Sequence, residues 1–115
     1  MKQITGHDLI GMAPSATQAA GATLPLLLDV REPWEFALAA IRIEGLETRL
    51  MPMNSVPAEL ARLDPAQPVV CICHHGARSA QVVAFLERQG FEAVYNLAGG
   101  IDAWSVQVDA AVPRY

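Results

Sequence analysis

The stretch Pro68-Val69-Val70-Cys71-Ile72-Cys73-His74-His75-Gly76-Ala77-Arg78-Ser79 joins an apolar, β-branched run to a short polar loop. The run is apolar on both faces, as a central strand of a parallel sheet must be. After the loop, apolar side chains recur at spacings of three and four, which predicts a helix over residues 79–89. A strand that turns tightly into a helix is the repeating unit of α/β folds.

The rest of the chain continues this alternation of strands and helices. Strands are predicted at 26–30 and 93–97, one short strand within 41–53, and a short edge strand at Ile4. Helices are predicted at Gly6–Met12 with Leu9 and Ile10 inward, at Glu32–Ala40 after a favourable Pro33, from Asn54 or Ser55 to Leu63, and at 101–106. Residues 14–23 are expected to form a loop, and Trp34 and Trp104 to pack in the core.

These elements predict an α/β fold with a central, mostly parallel sheet of about five strands and helices on both faces. The chain has 115 residues, and typical domains run roughly 100 to 200 residues. We therefore expect residues 1–115 to form one domain.

Composition restricts the classes of partner. Eight basic against twelve acidic residues give a net charge of −4, and no basic tract is present to neutralise a row of phosphates, which argues against nucleic acid and anionic membranes. No apolar run approaches the roughly 20 residues of a spanning helix, and no secretory signal is visible, so a cytoplasmic location is expected. Two cysteines separated by one residue do not suit a structural disulfide.

Cys73 stands where open α/β sheets bind their ligands, at the carboxyl end of a buried strand. Loop N–H groups and the following helix can form a cradle that favours a thiolate or persulfide there, and the thiolate is the nucleophilic form. Gly76 lets the chain turn, and Arg78 supplies a planar cation for an oxyanion. The alternative for Cys73 is an inert buried thiol, which is the reading favoured for Cys71.

Three segments resemble the rhodanese-like sulfurtransferases. The first, Cys73-His74-His75-Gly76-Ala77-Arg78, is similar to that family's six-residue active-site loop, Cys-x-x-Gly-x-Arg. The second, Asp29-Val30-Arg31-Glu32 with Trp34 and Glu35, is similar to its Asp-Val-Arg-x-x-x-Glu segment. The third, Gly99-Gly100-Ile101-Asp102-Ala103-Trp104, is similar to its Gly-Gly-x-x-x-Trp segment. The family's usual His-x-x-Gly-Ala segment is replaced here by residues 40–45, which leaves the path of residues 41–53 open.

The resemblance implies sulfur transfer through a Cys73 persulfide, from thiosulfate or a similar anionic donor to cyanide, a thiol or an acceptor protein. It implies no cofactor and no metal. Cys73 and Arg78 are the expected catalytic residues. The expected substrate-binding residues are His74, His75, Gly76, Ala77, Ser79, Arg31 and Trp34. For Arg31 an ion pair with Glu35 or another neighbour is the favoured alternative, and Asp29 is a candidate partner.

Two other functions fit the same residues. One is a persulfide carrier that hands sulfur to another protein and turns over small donors weakly. The other is a metal-binding module built from Cys71, Cys73, His74 and His75, although closed zinc sites usually need a second pair of ligands elsewhere in the chain.

Overall fold

The computed structural model describes residues 2–13 and 24–115, which form a five-stranded sheet flanked by helices. The strands are β1 (Lys2–Ile4), β2 (Leu26–Asp29), β3 (Glu47–Leu50), β4 (Val69–Ile72) and β5 (Val94–Leu97). The α-helices are α1 (Gly6–Gly11), α2 (Pro33–Leu38), α3 (Ala77–Arg88) and α4 (Gly100–Gln107). The predicted α/β class and the five-stranded sheet are confirmed.

The strand order β1-β5-β4-β2-β3 creates a switch point in the middle of the sheet. All strand pairs are parallel, and β4 lies between β2 and β5. From β2 the chain moves outward to β3, whereas from β4 it moves outward to β5 on the other side. The loops that follow β2 and β4 therefore meet at the carboxyl edge, where α/β sheets of this kind bind ligands.

The core has two layers, one on each face of the sheet. On one face α3 packs with the segment that follows β3, and the buried residues there include Val56, Val82 and Leu86. On the other face α1 and α4 contribute Leu9, Ile101 and Trp104. Alternate residues of the central strands point into opposite layers, as the burial of β4 on both faces requires.

Two predictions, one about a helix and one about the burial of a side chain, were wrong. The helix predicted from Asn54 or Ser55 to Leu63 is replaced by two single-turn 3₁₀ helices, Met53–Ser55 and Leu60–Arg62. Pro57 lies between them and has no N–H to donate to the carbonyl of Met53, so a continuous helix loses a bond there. Ile10, expected to face inward, is 46% exposed, because the six-residue α1 turns only one narrow side to the sheet.

The other predicted elements occur within a few residues of their expected bounds. The short strand within 41–53 is β3, and Trp104 packs in the core as expected. The helix expected to reach Ala40 ends at Leu38, where the carbonyl of Ala39 accepts a hydrogen bond from Arg31 Nη2. The loop predicted at 14–23 lies outside the described residues. Within the described ranges, none of the helices is long and apolar enough to cross a membrane.

Candidate active site

The loop between β4 and α3 presents Cys73 at the switch point. Cys73 directly follows β4, and the chain turns at Gly76, which caps α3 with a φ of 109°. That backbone conformation is open to glycine and strained for other residues. The turn explains why the loop is short and why its N–H groups lie close to the cysteine.

The Cys73 thiol is buried and has polar partners. The residue is 1% exposed. Its Sγ accepts a hydrogen bond from the Gly76 N–H at 3.0 Å and lies 3.2 Å from Ser79 Oγ. The loop thus supplies a backbone N–H to this sulfur, as the anion cradle requires.

Ser79 is also tied to the neighbouring strand. Its hydroxyl donates a short hydrogen bond to Asn96 Oδ1, and Asn96 Nδ2 donates to the Gly76 carbonyl at 3.1 Å. Both side chains are buried. Sequence reasoning gave Asn96 no role, because its partners lie 17 and 20 residues away along the chain and only the pairing of β5 with β4 brings it near the loop.

Arg78 forms a two-pronged ion pair with Glu35. Arg78 Nη1 and Nη2 donate to Glu35 Oε1 at 2.6 Å and Oε2 at 2.8 Å. The bonds from Arg78 lower the pKa of Glu35 to about 2, and the same contact raises the pKa of Arg78. Two of the five guanidinium N–H donors are thereby occupied, which leaves three that do not bind Glu35.

The ion pair expected between Arg31 and Glu35 or a neighbour is present with the neighbour Asp29, whereas Glu35 has a different partner. The sequence favoured an ion pair of Arg31 with Glu35 or a neighbour, and the structure pairs Arg31 with Asp29 and Arg78 with Glu35. No spacing rule could have found a contact across 43 residues. The only available signal was the place of Glu35 in the segment Asp-Val-Arg-x-x-x-Glu.

Arg31 is committed to structural contacts and is fully buried. Its Nε and Nη2 bind the two carboxylate oxygens of Asp29, and its other N–H groups bind the carbonyls of Glu35 and Ala39 and the hydroxyl of Tyr115. All five donors are used, so none is left for a substrate. The expected substrate contact of Arg31 is not supported by this geometry, and the alternative, an ion pair within its own segment, is what the structure has.

Tyr115 covers this cluster and was missed by sequence reasoning. Its hydroxyl donates to Glu35 Oε2 at 2.8 Å, and its ring stacks on His74 with centroids 4.0 Å apart. Burial raises the pKa of Tyr115, which keeps its phenol protonated as a donor. Burial also lowers the pKa of His74, which favours its neutral form at pH 7.

The remaining predicted site residues lie around the mouth of the loop. His75 is exposed and stacks on the outer side of His74, with its Nδ1 3.9 Å from Asp102. Ala77 is exposed at the start of α3. Trp34 is 63% exposed and meets Tyr115 edge-on. The expectation that Trp34 packs in the core was wrong, because α2 buries only Glu35 against the rest of the molecule.

The start of α4 holds the backbone of the loop from the other side. The N–H of Ile101 donates to the Cys73 carbonyl at 2.9 Å, and that of Asp102 donates to the His74 carbonyl at 3.1 Å. Gly100 lies so close that an added Cβ would come within 2.3 Å of the Cys73 carbonyl oxygen. The absence of a side chain at Gly100 therefore lets the start of α4 pack closely against the backbone of the loop that contains Cys73.

Cys71 points into the core on β4 and is fully buried. Burial raises the pKa of its thiol, as expected for a packing residue. Across residues 2–13 and 24–115, no three His, Cys, Asp or Glu side chains are grouped so that they could hold a metal ion. The arrangement around Cys73 instead resembles a nucleophile held in an anion-binding loop.

Comparison with known proteins shows the family to which the chain is related. The family model described as rhodanese-like domain matches residues 13–107. The chain belongs to the rhodanese-like domain family. A sulfurtransferase of Allochromatium vinosum is 40% identical over 70% of this chain and 71% of its own length. The thiosulfate sulfurtransferase GlpE of Stutzerimonas stutzeri is 36% identical over 77% of this chain and 75% of its own length.

The chain is also similar to part of a longer protein and to a solved structure. The rhodanese-like/PpiC domain-containing protein 12 of Arabidopsis thaliana is 38% identical over 77% of this chain, and the match spans only 30% of that protein. A rhodanese-like domain protein from Staphylococcus aureus superposes with a TM-score of 0.76 at 28% identity, covering 100% of this chain and 99% of that one. The rhodanese-like fold implied by the three sequence segments is thus confirmed.

Proposed function

We propose that this protein is a sulfurtransferase that moves a sulfane sulfur from thiosulfate to cyanide or a thiol through a Cys73 persulfide. The proposal rests on the position of the Cys73 sulfur. It accepts a hydrogen bond from the Gly76 N–H and lies beside Ser79 Oγ, in the short loop that precedes α3. The names of the bacterial relatives, sulfurtransferase and thiosulfate sulfurtransferase, support the same reaction.

The reaction consists of two displacements. The Cys73 thiolate attacks the outer sulfur of thiosulfate, the S–S bond of the donor breaks, and sulfite leaves with the bonding electron pair. Cyanide then attacks the terminal sulfur of the persulfide, thiocyanate departs, and the Cys73 thiolate is restored. Charge balances in each step, so neither an oxidant nor a cofactor is required.

Loop groups stabilise the anionic sulfur in both steps. The Gly76 N–H points at Sγ, and a fixed donor of this kind acts without reorganisation as charge develops. Arg78 adds a cation next to Glu35, and its three remaining N–H donors are available for the sulfonate oxygens of the donor. We assign donor selection to Arg78 because thiosulfate carries more charge than a monoanionic keto acid such as mercaptopyruvate.

The test of donor selection compares two variants. Arg78→Met alone would leave the buried carboxylate of Glu35 unpaired, which is strongly destabilising. We therefore compare Glu35→Gln, which keeps the cation, with the double variant Glu35→Gln and Arg78→Met. The double variant should lose about tenfold or more in kcat/KM for thiosulfate, since a charge-assisted hydrogen bond is worth about 1.5 to 3 kcal/mol.

Mercaptopyruvate is the control donor, with cyanide as the common acceptor. The kcat/KM for mercaptopyruvate should change little between the two variants. The ratio of kcat/KM for thiosulfate to kcat/KM for mercaptopyruvate should therefore be lower in the double variant. An unaltered protein that prefers mercaptopyruvate, or a ratio that is the same in both variants, would show that Arg78 does not select the donor.

A persulfide carrier is the second candidate, and the burial of Cys73 favours it. Because the residue is 1% exposed, a protein partner that opens the loop would reach the sulfur more readily than a free small donor does. A purified cysteine desulfurase should then load Cys73 much faster than thiosulfate does. If thiosulfate and cyanide turn over faster than any protein donor or acceptor, the carrier function is excluded.

A further inference from the structure

The hydrogen bonds around Ser79 demand more protons than its hydroxyl has. Ser79 Oγ lies 3.2 Å from Cys73 Sγ and within short hydrogen-bond distance of Asn96 Oδ1. A serine hydroxyl carries one proton and two lone pairs. It can therefore donate to the sulfur or to the amide oxygen, and not to both at once.

The Gly76 carbonyl fixes which atom of Asn96 faces Ser79. A carbonyl oxygen only accepts hydrogen bonds, so the Asn96 atom 3.1 Å from it must be the amide nitrogen. The amide oxygen then faces Ser79 and can only accept. Asn96 is 2% exposed and Ser79 is fully buried, so bulk water does not reach either side chain to replace a lost hydrogen bond. Losing one of these bonds therefore costs free energy.

We propose that Asn96 is a positioning residue that controls Cys73 through the hydroxyl of Ser79. While Ser79 donates to Asn96, it turns a lone pair toward Cys73, which suits a thiol that donates its own proton. When the thiol loses its proton to water, the hydroxyl rotates and donates to the thiolate, leaving Asn96 Oδ1 without its partner. Asn96 thus biases the unloaded cysteine toward the thiol.

The inference deepens the proposed function, because the thiolate is the nucleophile of the first displacement. It also gives the hydroxyl a role in the cycle. Once Cys73 carries the persulfide, the negative charge moves to the terminal sulfur, and Ser79 can return to Asn96. The hydroxyl of Ser79 therefore changes partner as the cysteine is loaded and unloaded.

Other charged or titratable groups lie near this sulfur and must be the same in all the variants that are compared. Arg78 and Cys71 both interact with Cys73, and Glu35 neutralises Arg78. His74 is the next residue of the loop, and Asp102 on α4 pairs with Arg114. Cys71 is replaced by serine in every variant compared, and none of the other groups is altered when Asn96 or Ser79 is replaced.

The experiment measures the ultraviolet absorbance of the thiolate against pH in a Cys71→Ser background, which leaves one thiol. Asn96→Leu keeps the branched shape and the number of heavy atoms of the side chain, and it frees the Ser79 hydroxyl for the sulfur. The pH of half-maximal absorbance should fall by roughly one unit, the size expected of one hydrogen bond to a charged group. In the presence of Ser79→Ala, the same Asn96 substitution should produce no such fall.

Controls separate this role from a structural one. Asn96→Ala repeats the measurement if the leucine variant does not fold, and the exposed Asn54→Ala controls for loss of an asparagine elsewhere. A downward shift of equal size with and without Ser79, an upward shift, or no shift overturns the proposal. The titration needs no sulfur donor, so its failure is distinguishable from a failure of thiosulfate turnover.

Discussion

Cys73 and Cys71 are two residues apart, yet their surroundings give the two sulfurs different chemistry. Cys73 Sγ has the Gly76 N–H and the Ser79 hydroxyl beside it. Cys71 lies within the core on β4, where burial raises the pKa of its thiol. A nucleophilic thiolate needs nearby donors or positive charge, so the geometry favours Cys73 alone.

This difference predicts the outcome of replacing each cysteine by serine. Cys73→Ser should abolish transfer of sulfur from thiosulfate to cyanide, whereas Cys71→Ser should retain a large fraction of it. Thiocyanate formation measures the transfer, and circular dichroism checks that both variants fold. Comparable losses in two folded variants would contradict the assignment of a single nucleophile.

Replacing Tyr115 tests whether its hydroxyl group stabilises the fold. Tyr115→Phe keeps the ring that stacks on His74 and removes the hydroxyl that bridges Arg31 and Glu35. Because hydrogen bonds to charged groups are worth about 1.5 to 3 kcal/mol, we expect the free energy of unfolding to fall by about 2 kcal/mol. Urea unfolding measures it, with Tyr95→Phe on β5 as the control. Equal stabilities of Tyr115→Phe and the unaltered protein would show that the bridge does not stabilise the fold.

Among the secondary-structure elements, the contact between α4 and the loop after β4 is the most sensitive to substitution. Gly100 and Gly90 both have a positive φ, of 60° and 94°. An added Cβ at Gly100 would meet the carbonyls of Cys73 and His74, whereas a Cβ at Gly90 would meet nothing within 4 Å. Both glycines therefore test a positive φ, but only the substitution at Gly100 adds a contact with the loop.

Gly90→Ala should cost about 1 kcal/mol of stability through strain alone. Gly100→Ala should cost about 2 to 4 kcal/mol, because the loop backbone must also shift, and it should slow sulfur loading of Cys73. Urea unfolding and the rate of loading by thiosulfate measure the two effects. Similar costs for both substitutions, with loading unchanged, would show that the close approach of α4 does not shape the loop.

The sequence predicted those elements that have strong local patterns. The β-branched run of β4 and the apolar spacing of α3 define the central strand, the loop and the position of Cys73. The segment 54–63 was predicted wrongly because it contains capping residues and a terminating Asp64-Pro65, while Pro57 and the tertiary contacts favour separate turns. Few apolar residues recur at regular spacing in this segment, so its local pattern does not determine the secondary structure.

The interior of the site was less predictable, because its contacts join distant parts of the chain. The Arg78–Glu35 pair spans 43 residues, and the bond from Tyr115 to Glu35 spans 80. These contacts depend on the switch point that brings the loops after β2 and β4 together. Residue types indicated which side chains carry charge, and only the fold determined how they pair.

For the molecule as a whole, the buried Glu35 carboxylate links folding to pH. Its pKa is lowered to about 2 from an ordinary value of 4.5, chiefly by Arg78. A carboxyl with a lowered pKa in the folded state stabilises the protein fully above 4.5, and this stability is lost as the pH falls toward 2. Its contribution at neutral pH is about 3 kcal/mol.

Glu35→Gln should therefore flatten the dependence of the free energy of unfolding on pH between about 4.5 and 2. Urea unfolding at a series of pH values measures this slope. Glu47→Gln is the control, since the Glu47 side chain is 57% exposed in its pair with Arg49 and exposed pairs contribute little. If the slope of Glu35→Gln equals that of the unaltered protein, the Arg78–Glu35 pair is not a source of acid sensitivity.

The most direct test of sulfur transfer is the intact mass of the protein before and after thiosulfate, and again after cyanide. We predict a gain of one sulfur atom with thiosulfate, its removal by cyanide, and no gain in Cys73→Ser, because the persulfide is the covalent intermediate of the double displacement. A mass that does not change with thiosulfate, or a sulfur that is still added to Cys73→Ser, would contradict the account.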